Sequence, residues 1–152
     1  MTIYKSNNFD NPAIPPHSAG EVYVSDDTVD LPDDIEADDI AKVGHLPLDC
    51  MPLDLLIFTE ELDEHGTDTL RFTVGLLNDA GDDLVSGSEL LVDAQAEAVK
   101  TIRGDAAAGF LGIDREEFED RVLAVKFTAV AATGAAGAMR AILSYRATNY
   151  GA

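Results

Sequence analysis

Three histidines, one cysteine and several adjacent carboxylates are the side chains here whose types could support chemistry. His17, His45 and His65 are isolated from one another, with no HxH or HExxH spacing. A zinc site would have to draw them together from three separate loops. Cys50 stands alone, which excludes an internal disulfide and a cysteine-rich metal site. It lies near His45 with Pro47 between them, a spacing that does not make a nucleophile–base pair, so a buried, inert thiol is expected. Adjacent acids recur at Asp26/Asp27, Asp33/Asp34 and Asp38/Asp39. Hard cations take several carboxylate oxygens, which makes Asp26, Asp27, Asp33 and Asp34 the candidate ligands. Neither they nor Asp79–Asp83 follow the twelve-residue calcium-loop pattern, and a solvated acidic loop is the default. Glu60/Glu61 and Glu116/Glu117 have the residue types of a two-carboxylate hydrolase. Neighbouring strand positions face opposite ways, so neither pair builds such a site. With no GxxxxGK[ST] and no GxGxxG after a strand, the expectation is no catalytic residue, no metal and no cofactor.

The charge balance narrows the choice of partner. Among 152 residues, 29 acids oppose 10 bases, a formal charge of −19. Such a surface repels phosphate backbones, so nucleic-acid binding is disfavoured. It also repels copies of itself, so assembly must rest on apolar or extended-chain contacts. No apolar run is long enough to span a membrane, and no apolar stretch follows Lys5 as in a secretory signal. A soluble intracellular setting is expected. The hydrophobic fraction of 46% is ample for one packed domain.

The elements that would position these side chains read as β. Residues 1–20 hold three prolines and three asparagines without periodicity, an extended N-terminal arm. It is either a frayed terminus or an arm that pairs with a neighbour through Ile3, Tyr4, Phe9 and Ile14. Residues 21–152 then form a single domain. Residues 26–39, with eight carboxylates and no base, read as an acidic loop. Strands are expected at 21–25, 40–44, 53–60, 69–77, 84–88, 106–112, 122–132 and 138–147. A short helix over 94–101, capped by Asp93, breaks the rhythm. The segments 53–60 and 69–77 are candidates for antiparallel neighbours. The glycine-bearing loop 133–137 suggests that the last two strands form a hairpin. The predicted fold is all-β with one short helix: an antiparallel two-sheet β-sandwich, jelly-roll-like.

Five segments carry a resemblance. They are Lys42-Val43-Gly44-His45-Leu46-Pro47, Thr69-Leu70-Arg71-Phe72-Thr73-Val74-Gly75-Leu76, the Asn78–Asp82 turn, Ala94-Gln95-Ala96 and the glycine-bearing stretch 132–145. In this order they resemble tailed-phage capsid decoration, or cement, proteins. The acidic insert 26–39 and the proline-rich arm depart from that pattern, which leaves the attachment of the N-terminus open. The resemblance implies a non-enzymatic virion protein made in the host cytoplasm. It would sit on the capsid exterior and bridge subunits of the major capsid protein. Dimers or trimers would match the local symmetry. Two other readings stay open: a head–tail connector or tail accessory protein, and a carbohydrate-binding or calcium-dependent adhesion module.

Overall fold

The computed structural model describes residues 1–10, 21–96, 100–113 and 121–147. Nine strands and one short helix follow in chain order: β1 (Ile3–Lys5), β2 (Val22–Leu31), β3 (Ile40–Leu46), β4 (Cys50–Thr59), β5 (Arg71–Leu76), β6 (Leu91–Gln95), β7 (Lys100–Arg103), α1 (Ala107–Gly112), β8 (Arg121–Ala129) and β9 (Gly137–Ala147). One sheet has the order β1-β3-β8-β5-β6 and the other β2-β9-β4-β7. Every pairing is antiparallel except β1 with β3.

The pairs β2–β9, β3–β8, β4–β7 and β5–β6 run from outermost in sequence to innermost. The chain doubles back on itself as one long ribbon, and wrapping that ribbon makes two facing four-stranded sheets. That arrangement is the jelly roll, with β1 added to one edge. Alternation drives the wrapping. Val29, Leu55, Ile57, Met139, Ala141 and Leu143 of one sheet are buried, as are Ala41, Phe72, Val74, Leu123, Val125 and Phe127 of the other. Phe72 and Phe127 meet edge to face, centroids 6.4 Å apart. Each fully buried Leu or Phe contributes about 1.5–3 kcal/mol, enough for this core to hold two sheets together.

Several local expectations are corrected. The hairpin expected from 122–132 and 138–147 is absent, because β8 and β9 lie in different sheets, as do β4 and β5. The first part of the expected acidic loop 26–39 is strand, since Val29 and Leu31 face the core and carry Asp26–Asp30 into β2. No helix covers the described part of 94–101. Residues up to Gln95 pair with β5, and Asp93, instead of capping, donates its backbone N–H to Thr73 Oγ1. The small apolar run 106–112 is helix, not strand. Gly109 sits against the Glu89 carbonyl so tightly that a Cβ there would lie 1.7 Å from its oxygen. Residues 84–88 form a loop over Gly75, tied by Ser88 Oγ to the Leu76 N–H at 2.9 Å. No helix among the described residues is long and apolar enough to cross a membrane.

Candidate functional site

The first ten residues of the expected arm lie on the body. β1 adds to β3 with Ile3 opposite Ile40 and Tyr4 opposite Ala41. Two carboxylates fasten it. Asp39, buried, accepts from Thr2 N at 2.5 Å, Tyr4 Oη at 3.0 Å and Glu36 N at 3.0 Å. Burial alone would raise its pKa; the N–H groups of Glu36 and Thr2 and the Tyr4 hydroxyl outweigh that and hold it below the usual range. Tyr4 is pushed up to about 12, first by burial and then by the Asp39 carboxylate it donates to. Asp27, also buried, accepts from Ser6 Oγ and from the N–H of Asn8 and Thr28. Phe9 stacks on His45 with centroids 4.5 Å apart, and the His45 ring bonds the Phe9 carbonyl at 2.8 Å.

Of the candidate contact residues, Ile3 is exposed, Tyr4 packs against the core and Phe9 is held by His45. Ile14 lies outside the described residues. The four candidate cation ligands do not converge. β2 sends Asp26 outward, where Arg140 grips it through two bonds of 2.6 and 2.7 Å, and Asp27 inward to the N-terminal segment. Asp33 and Asp34 follow beyond the end of β2.

Sequence reasoning overlooked the outer face of the sheet β2-β9-β4-β7. Register places Asp26, Ile142, Leu56 and Arg103 in one row, with Thr28, Arg140, Phe58 and Thr101 in the next. Val22 and Val24 flank these rows, 58% and 54% exposed, and Leu56, Phe58 and Ile142 are only half-buried. Two ion pairs lie on this face, Arg140 with Asp26 and Arg103 with Asp54 at 2.8 Å, and the exposed Asp30 stands at its margin. The result is a mixed surface on an acidic protein, in which half-buried apolar side chains are interleaved with paired charges and Arg140 lies over the Phe58 ring at 5.9 Å. The outer face of the other sheet presents Lys42, Thr73 and Lys126, the last pinned between Asp38 and Asp83. A signal for the open face existed in β4, where Leu56 and Phe58 are apolar at positions alternating with the core residues Leu55 and Ile57.

The sandwich has counterparts among solved capsids. No protein-family model matches this chain, and no curated protein does. A chain in the capsid of Ralstonia phage GP4 aligns with a TM-score of 0.81 at 26% identity, over 97% of this chain and 99% of that one. A chain in the capsid asymmetric unit of cyanophage Pam1 aligns with a TM-score of 0.64 at 25% identity, over 88% and 90%. The protein is a tailed-phage capsid-related protein with a structural role in the virion.

Proposed function

We propose that the chain is a capsid decoration protein that stabilises the shell from outside by bridging major capsid subunits. The observation that carries this reading is the end-to-end likeness to a chain of the GP4 capsid. The outer face of β2-β9-β4-β7 supports the same reading, because its charges are largely paired with one another and Val22 and Val24 are exposed beside them. A standard contact removes about 1,600 Å² from water, and many such contacts repeated over a shell act together. The contact set proposed is that face together with Ile3 at the N-terminal edge. Self-association into dimers or trimers would follow the symmetry of the sites occupied.

Copy number and binding test the proposal. Purified protein added to capsids assembled without it should saturate at hundreds of copies per particle and raise the temperature at which the shells release their genome. Saturation at six or twelve copies would assign the chain to the portal or tail. Absence of binding would overturn the proposal.

A further inference from the structure

Of the edge strands β1, β2, β6 and β7, β2 is the longest, and part of its outward backbone is open among the described residues. Thr28 points its carbonyl away from β9, since Asn7 N donates to it at 2.8 Å. The β2–β9 register is unbroken from Val22 to Leu31, so every second residue shares that direction, and Val22, Val24 and Asp26 also aim N–H and C=O outward. Asn7 and the Asp27 clamp cover the edge at Thr28. No hydrogen bond among the described residues reaches the outward backbone groups of Val22, Val24 or Asp26. Natural sheets usually blunt such an edge with lysine, proline or a bulge. From Val22 to Ser25 this edge has no charge, proline or bulge and shows two exposed valines; the charged Asp26 and the inward Asp27 follow.

We infer that β2 from Val22 to Asp26 is a docking edge that takes an extended strand from the capsid shell as a fifth strand of the sheet. The inference rests on the decoration reading above and names the contact that reading needs. The strand would supply alternating N–H and C=O groups to Val22, Val24 and Asp26, with apolar side chains beside Val22 and Val24. Asp26 is already paired with Arg140 and Asp27 faces inward, but Glu21 is exposed just before β2 and the protein carries a net charge of −19, so the complementary strand carries lysine or arginine. The same net charge disfavours a second copy, which would bring −19 against −19.

The probe is the capsid assembled without this chain. Val24→Pro deletes one outward N–H and leaves the β2–β9 ladder whole, since proline is tolerated on an edge strand. The variant should bind these capsids at least about tenfold more weakly, the loss of roughly one backbone hydrogen bond. In the wild-type protein, amide exchange at Val22, Val24 and Asp26 should be fast in solution and slowed at least about tenfold on the capsid, a readout that does not depend on the variant folding. Equal binding by Val24→Pro, or unslowed exchange at those three amides in bound protein, overturns the inference while decoration stands. Loss of self-association in Val24→Pro would show that the edge pairs with a second copy, which also overturns it. If wild-type protein does not bind the capsids, the decoration reading falls first and takes this inference with it.

Discussion

Asp63 offers a direct test of how the two sheets are joined. It sits in the β4–β5 loop, buried to 1% exposure, on the acceptor side of six hydrogen bonds. Its carboxylate takes the N–H of Thr69 at 2.8 Å, Thr133 at 3.0 Å, Ala132 at 3.1 Å, His65 at 3.2 Å and Leu70 at 3.3 Å, and the Thr69 hydroxyl at 3.3 Å. Two loops that cross between sheets, β4–β5 and β8–β9, therefore share one anion. A hydrogen bond to a charged group contributes about 1.5–3 kcal/mol, and stranded buried N–H groups add to the loss. Some of these N–H groups would recruit water in Asp63→Ala, so the sum is not additive; a loss of about 3–5 kcal/mol is expected. For a domain of this size that lowers Tm by roughly 10–15 °C. Urea unfolding followed by circular dichroism measures the loss directly.

The pH dependence carries a second signature. Burial alone would raise the Asp63 pKa, but the N–H groups of Thr69, Thr133, Ala132 and His65 overrule it and hold the carboxyl well below the usual range. With the folded-state value depressed, the stabilisation is full above the unfolded value near 3.9 and is lost as pH falls toward the folded one. Asp63→Asn should therefore be less stable at neutral pH yet lose less on acidification below about pH 4 than the wild type. A loss under about 1 kcal/mol in Asp63→Ala, or an unchanged acid limb in Asp63→Asn, would refute the account of this residue as the joint.

The other predictions concern separate regions. Asp27→Ala removes the acceptor for Ser6 and Asn8, and should speed trypsin cleavage after Lys5 at least about tenfold, for a loss near 1.4 kcal/mol. Tyr4, with its pKa raised to about 12, favours the folded state below pH 10, an advantage lost as pH climbs through 12. Tyr4→Phe should flatten the alkaline limb of a stability profile over that interval. Gly109→Ala must move the Glu89 backbone and should cost about 3 kcal/mol by urea midpoint. Gly66→Ala, with nothing within 4 Å of the added carbon, should stay within about 0.5 kcal/mol of wild type.

Alternation in the sequence determined where most strands lie and that they bury one face. Leu55 and Ile57, Phe72 and Val74, Val125 and Phe127, and Met139, Ala141 and Leu143 were legible as core for that reason. The all-β class and the two-sheet sandwich follow from the same pattern. Asp27 and Asp39 read as members of an acidic loop, because a carboxylate that clamps a distant backbone looks the same in sequence as one facing water.

Strand partnership was decided by tertiary structure alone. An alternating strand buries one face equally well in either sheet, and the loops 60–70 and 130–136 are long enough to turn back or to cross over. The choice lies with long-range pairings such as Val22 with Arg146, and with Asp63, which holds the crossing loops together. Local sequence also left open the fate of 106–112. Contact of Gly109 with the Glu89 backbone, between segments unrelated by any periodicity, made it a helix.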